Sequence, residues 1–354
     1  MRIVVAMSGG VDSSVAAALL AEEGHEVIGL SMQLYDQREG ETGFGTGCSL
    51  NDLHDARRVA ATIGIPHYLV NCEREFQEQV IADFVAEYAA GRTPVPCARC
   101  NRDLKFATLL DRARGLGAEV VATGHYARVG HDRTSGRHLL RRGSDASRDQ
   151  SYFLFSLAQD QLARASFPIG GWTKEAVREY AREHGLPVAD KRASQEICFV
   201  PDGDYAAFVE RRAPATRADG VIVNRAGAVL GRHTGVHHFT VGQRKGLGLS
   251  TAEPLYVVAI RAPDHTVVVG PRRALERTEL TASDVNWITW PPPVPPRQVT
   301  AQIRHRHTPA SARVLALDGG RASIEFDAPQ LAVTPGQAVV FYDGDTVVGG
   351  GWID

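Results

Sequence analysis

The chain has 354 residues, 44% of them hydrophobic and 23% charged, with a formal net charge of −2. That composition excludes disordered and collagen-like chains, and the length suits two or three domains, each with its own core. Near-neutral charge argues against a protein whose main task is coating nucleic acid. No apolar run reaches the roughly 20 residues of a membrane helix, and the early glycines of MRIVVAMSGG do not fit a secretory leader. A cytoplasmic protein without membrane partners is expected.

Residues 3–7 read as a strand, followed by a turn and a helix with Val15, Leu19 and Leu20 as its apolar positions. Residues 25–32 form a second expected strand, 52–63 a helix and 67–70 a third strand. Residues 74–90 read as a helix with Phe76, Val80, Phe84 and Tyr88 on one face, and 101–114 as another, leading into a strand at 119–123. Such alternation predicts an α/β fold with a doubly wound parallel sheet. After about residue 205 the character changes to short β-branched runs at 221–223, 256–260, 266–269, 299–304, 312–317, 322–326 and 338–342, separated by Gly, Pro and Asp. These predict two small β-rich or β-barrel domains. The expected division is 1–205, 206–280 and 281–354, with the PPPVPP stretch in the first loop of the last barrel. Residues 1–205 carry −5 and residues 206–354 carry +3, which points the C-terminal part toward a polyanionic partner.

The segment SGGVDSS, Ser8 to Ser14, directly follows the first strand and opens a helix. Gly9 and Gly10 let the backbone turn tightly and approach a ligand. The turn and helix N-terminus aim N–H groups at one point, a ready anion site, and Ser8, Ser13 and Ser14 add hydroxyls. An ordinary capped turn needs none of those extra serines. The GKS or GKT of a Walker A loop is absent.

Five cysteines in a long chain do not make a disulfide framework. Cys48 and Cys72 read as buried structural thiols. Cys97 and Cys100 lie in TPVPCARCNRDLKF and Cys198 in SQEICFV. Thr93, Pro94, Val95 and Pro96 read as an exposed loop. Cys100 reads as sitting just before a helix, where the dipole together with Arg99, Arg102 and Lys105 would favour the thiolate. A zinc site needs four ligands, and no second CxxC or HxxxH pair is present. His125, His237 and His238 read as hydrogen-bonded structural histidines, since no carboxylate partner is legible.

The SGGVDSS loop resembles the PP-loop of ATP pyrophosphatases, in the adenine nucleotide alpha hydrolase-like class, which cleave ATP between its α and β phosphates. Seven segments then resemble, in order, the tRNA-specific 2-thiouridylase family: MSGGVDSSVAA, GRTPVPCARCNRDLKF, ATGHYAR, RDQSYFLF, SQEICFVPDGDY, HHFTVGQRKGLG and the C-terminal VTPGQAVVFYDGD…VVGGGWID. The resemblance implies ATP-dependent adenylation of the C2 oxygen of the wobble uridine and replacement of that oxygen by sulfur. It implies Cys100 as nucleophile and Cys198 as persulfide carrier. It places ATP on Ala6, Met7, Ser8, Gly9, Gly10, Val11, Asp12, Ser13, Met32 and Gly124, with Asp12 assisting Mg²⁺ and the departing pyrophosphate. It places the tRNA anticodon loop on Val95, Pro96, Cys97, Arg148, Asp149, Gln150, Arg304 and His305. Val95 and Cys97 replace the family's usual Asn and Asp beside Pro96, and Arg148 replaces a common lysine.

A sulfur-donor protein and an external reductant are the further expected partners. A cluster reading stays open, in which Cys97, Cys100 and Cys198 hold an iron–sulfur cluster. Other PP-loop enzymes, a 4-thiouridine synthetase among them, and a non-catalytic RNA-binding protein also stay open. Basic groups around Arg92, Arg99, Arg102, Lys105, Arg141, Arg142, Arg244, Lys245 and Arg306 are further candidates for RNA phosphates.

Overall fold

The structure, a computed structural model, describes residues 1–35, 50–191, 197–200 and 202–354; Cys48 lies outside them. Two compact units emerge: Met1–Val80, Cys97–Gly203 and Asp345–Val348 in one, Ile81–Pro96, Asp204–Gly344 and Gly349–Asp354 in the other.

Elements β1 (Arg2–Ala6), α1 (Val11–Glu22), β2 (Glu26–Gln33), α2 (Leu50–Ile63) and β3 (His67–Asn71) alternate as the apolar pattern predicts. The next helical stretch comprises α3 (Glu73–Phe76), a π-helical turn (Gln77–Ile81) and α4 (Ala82–Ala89), the last belonging to the second unit. Its four spaced apolar residues, Phe76, Val80, Phe84 and Tyr88, are all buried, as their spacing requires. Then α5 (Pro96–Arg99) runs into a longer π-helical segment (Cys100–Thr108) and α6 (Leu109–Gly115), which feeds β4 (Val120–Thr123). A hairpin of β5 (Ala127–Asp132) and β6 (Arg137–Arg142) follows, and α7 (Gln159–Leu162), β7 (Ala165–Ser166) and α8 (Lys174–Glu183) complete the first unit's larger elements. The hairpin escapes the sequence reading because its strands are rich in Arg and His, which dilutes the β signal.

The five strands of the first sheet lie in the order β3-β2-β1-β4-β7, and every pairing is parallel. Chain order reverses between β1 and β4, so the loops leaving their C-terminal ends part there. Sheets of this kind bind ligands in that crevice. Helix α1 is packed on nearly every side: Val15, Ala16 and Ala17 have no exposed surface. Its small residues let it lie close to the sheet, and the loop before it inherits that fixed position.

In the second unit, α9 (Tyr205–Arg212) precedes β8 (Gly220–Asn224), β9 (Val229–His233), β10 (Tyr256–Arg261) and β11 (Thr266–Gly270), a sheet ordered β10-β11-β8-β9. Ile222, Val236, Phe239, Val257 and Val267 form its core. The remaining strands are β12 (Glu276–Trp287), β13 (Arg297–Gln302), β14 (Ala310–Leu317), β15 (Arg321–Leu331), β16 (Ala338–Asp343) and β17 (Thr346–Ile353). They run β12-β15-β14-β13-β16-β17, and β12 pairs back onto β17, which closes a barrel and removes its edges. The proline stretch joins β12 to β13. Residue 280 lies inside the 12-residue strand β12.

Candidate active site

The loop between β1 and α1 closes through local hydrogen bonds and is packed against more distant backbone. Gly9 has φ of +71°, and a Cβ there would stand 2.1 Å from the Asp52 carbonyl oxygen, so only glycine fits. Gly10 caps α1 in extended conformation. The hydroxyls of Ser13 and Ser14 donate to the Gly10 carbonyl at 3.2 and 2.8 Å, and Ser8 N–H donates to Ser13 Oγ at 3.2 Å. Ser13 and Ser14 are buried, whereas Ser8 is exposed. Gly124, just past β4, closes the other side: a Cβ there would lie 2.5 Å from backbone atoms of Asp12 and Ser13. Ala6 ends β1, Met7 and Val11 are buried, and Met32 is half-buried in β2. Ala6 to Ser13 thus lie on or beside the β1–α1 turn with Gly124 packed against it, while Met32 stands on the neighbouring strand β2.

Residues that sequence spacing could not assign complete this site. Lys174, the first residue of α8 and almost wholly buried, reaches both Asp12 carboxylate oxygens at 2.6 and 2.8 Å. Tyr126 Oη donates to Asp12 Oδ1 at 2.7 Å, and burial, with Asp12 beside it, pushes its phenol up. Lys191 Nζ donates to the Gly9 carbonyl at 3.0 Å and to Asp52 and Asp55 at 2.6 Å each. Burial opposes its charge, but the two carboxylates prevail and hold its pKa above the ordinary value. These partners stand 114 to 182 residues from the loop atoms they touch, and only Tyr126, within the ATGHYAR segment, lay in a motif.

The cysteine region differs from its sequence reading. Pro94, Val95 and Pro96 are buried, not an exposed loop. In the second unit, Thr93 N–H donates to Pro335 O at 2.8 Å and the Gln337 amide donates to Thr93 O at 2.9 Å, and these bonds hold the stretch down. Pro96 starts α5, a position where its missing N–H costs nothing. The helix therefore begins five residues earlier than expected. Cys97 sits in its first turn and is exposed; Cys100 is interior, at the start of the π-helical segment, and only 9% exposed. Dipole stabilisation fades beyond the first turn, and burial pushes the Cys100 thiol up, partly offset by Lys105. Arg102 is paired with Asp103 at 2.7 Å. The expected thiolate at Cys100 is thus corrected to a buried thiol with one helpful cation.

Wider π turns leave carbonyls in need of partners. The Gln161 side-chain amide supplies two bonds, to Arg102 O at 2.8 Å and Phe106 O at 2.9 Å. Lys105 Nζ donates to Asn101 Oδ1 at 3.0 Å. Burial, then Lys105, drives His125 well below its ordinary value, so its ring is neutral; its Nδ1 lies 2.6 Å from Thr123 Oγ1. Cys72 is fully buried and its thiol rises to about 11, chiefly by burial. Cys198 is half-buried, and its neighbour Phe199 packs edge-on against Phe76 at 5.6 Å. The Cys198 segment thus abuts the end of α3. Cys97, Cys100 and Cys198 do not gather within 4.8 Å as a set of three ligands.

Of the residues expected at tRNA, Arg148 is exposed, while its two neighbours face inward. Asp149 accepts from Arg142 at 2.7 Å, Gly143 N–H at 3.0 Å and the Ser151 hydroxyl at 3.0 Å. Gln150 and Tyr126 exchange two bonds of 2.9 Å. In the second unit Arg304, His305 and Arg306 are exposed on the β13–β14 connection, as are Arg244 and Lys245 in their glycine-rich turn.

Three family models match in succession: one described as a tRNA methyl transferase HUP domain over residues 1–202, a tRNA methyl transferase PRC-barrel domain over 206–271, and an aminomethyltransferase beta-barrel domain over 277–353. The chain is similar along its length to proteins described as tRNA-specific 2-thiouridylase MnmA. One from Geotalea uraniireducens is 56% identical over 358 residues, covering 100% of this chain and 95% of that protein. One from Geobacter metallireducens is 56% identical, covering 100% and 96%. One from Solibacter usitatus is 53% identical, covering 99% of each.

Proposed function

The chain belongs to the tRNA-specific 2-thiouridylase family, and on that premise we propose that it uses ATP to replace the C2 oxygen of the wobble uridine of tRNA by sulfur. One observation carries the reading. A single compact unit holds both an anion-binding loop at the β1–β4 crevice and two thiols of different character, Cys100 and Cys198. The three-part division of the chain is supported by the separate family matches, with the second boundary drawn before β12.

A uridine carbonyl carbon is a poor electrophile with a poor leaving group. Adenylation of its oxygen, with loss of pyrophosphate, makes AMP the leaving group. The loop N–H groups and the α1 N-terminus hold the phosphates, and Lys174 is the buried cation beside them. Asp12 accepts from that ammonium with both oxygens, and each oxygen keeps a lone pair with which it would assist a magnesium ion bound there. Cys198 carries a persulfide received from a donor protein, and its terminal sulfur attacks C2 as the C2–O bond breaks and AMP departs. Cys100 then attacks the Cys198 sulfur. The S–S bond breaks, the outer sulfur stays on the base, and a Cys100–Cys198 disulfide remains for an external dithiol to reduce.

Incubation with unmodified tRNA, ATP, cysteine and a cysteine desulfurase tests the reading, with nucleosides analysed by mass spectrometry. 2-Thiouridine together with tRNA-dependent release of AMP and pyrophosphate is expected. Formation of 4-thiouridine, or ATP cleavage indifferent to tRNA, would overturn it.

A further inference from the structure

The second unit carries a ligand set with no place in the thiolation chemistry. Glu210 on α9 and the neighbours His237 and His238, in a 3₁₀ turn (Val236–His238), bring three donor atoms within 4.8 Å of one another. Both Nε2 atoms stand 3.1 Å from the same carboxylate oxygen, Glu210 Oε1. Only the His237 contact is aligned as a hydrogen bond; His238 Nε2 is buried yet aimed away from that oxygen. The other Glu210 oxygen faces Arg217 Nε at 3.5 Å.

Two imidazoles crowd one carboxylate oxygen, but only His237 is aligned to donate to it. The His238 ring is left with a buried, misdirected polar edge in a half-dry setting. Imidazole nitrogens and a carboxylate are the ligands that borderline divalent ions select. Atoms about 2.0–2.2 Å from a tetrahedral ion stand roughly 3.3 Å apart, close to the spacing found. The donors also sit on firm supports. Val236 and Phe239 bracket the turn within the small sheet's core, and Phe208 and Val209 bury α9 beside Glu210. The nearby His233 is excluded, because its Nε2 lies 3.1 Å from His265 O and its Nδ1 accepts from Gly235 N–H at 3.1 Å.

We propose that Glu210, His237 and His238 form a divalent transition-metal site, taking zinc by its donor set, that clips α9 to the turn following β9. The His237 ring is fully buried and that of His238 is 35% exposed, so the His238 side lies nearer solvent. The clip spans 27 residues of sequence, and its occupancy stabilises the folded unit by mass action.

The test uses the full-length protein stripped by a chelator and titrated with Co²⁺, followed by displacement with Zn²⁺. One equivalent of cobalt with a four-coordinate visible spectrum and no thiolate-to-cobalt charge-transfer band is expected. Zinc should displace it and raise the Tm of the stripped protein. Glu210→Gln keeps the size of the side chain, and affinity should fall by more than the 10–100-fold typical of losing an outer partner. His238→Asn, on the side nearer solvent, should do the same and carries the test if the first variant misfolds. Absence of stoichiometric binding, affinity unchanged in both variants, or a charge-transfer band that marks binding at the cysteines would each overturn the proposal.

Discussion

The nucleotide loop and the thiol region share one compact unit yet are built on opposite plans. From Ser8 to Ser14 the backbone turn is closed by local bonds, with serine hydroxyls on the Gly10 carbonyl and glycines where no side chain could fit. Distant side chains reach it at Gly9 and Asp12. Around Cys100 the environment is assembled from afar, by Gln161 on the π-helical carbonyls and by apolar packing. Local bonding makes a site that is preformed and readable. Distant packing instead sets a thiol's proton affinity, which no neighbouring residue in the sequence declares.

The sharpest way to break this contrast is to remove the thiols. Cys100→Ser and Cys198→Ser should each reduce thiolation to background, measured as 2-thiouridine by mass spectrometry, while ATP binding persists. Equal loss of nucleotide binding would mean that the two regions are not separable.

Next in size is Lys174→Met, which removes the buried ammonium from Asp12. Pyrophosphate release should drop about 100-fold, the scale of losing one electrostatic partner of a transition state. Unchanged release would reduce Lys174 to a structural counter-ion. Gly9→Ala should cost about 2 kcal/mol in chemical denaturation, because its Cβ would collide with Asp52 backbone.

Lys191 joins the two regions, since it grips Gly9 and lies seven residues before Cys198. Lys191→Met should lower stability by about 1–2 kcal/mol, discounted for its partial exposure. Thiolation should fall further than ATP binding, and parallel losses would deny it any coupling role.

The smallest effect concerns protonation. Burial holds the Cys100 thiol above the ordinary range while Lys105 pulls it down. Alkylation at Cys100, followed by peptide mass spectrometry, should therefore rise at higher pH than for an ordinary thiol. Lys105→Met removes a stabilising cation, so the profile should move further up. A downward shift would contradict the assignment.

Chain order, the parallel sheet and the glycine-serine loop were legible because each rests on short-range rules: apolar period, strand followed by turn, and backbone that only glycine adopts. The same rules exposed most of the β strands but not β12 across residue 280, nor the Arg-rich β5–β6 hairpin. The resemblance named the reactive cysteines without their surroundings, and a one-turn error in the start of α5 reversed the reading of Cys100. The charged partners Lys174, Lys191 and Glu210 carried no signal at all, since an isolated lysine or glutamate in a helix reads as solvated surface.

Sequence alone determined which groups can react and where the backbone can bend, because both are properties of a residue and its near neighbours. Tertiary structure decided which cation faces Asp12, how far Cys100 is shielded from water, and which carboxylate meets two histidines. Those outcomes depend on dielectric surroundings and on distances between residues remote along the chain, and folding fixes both together.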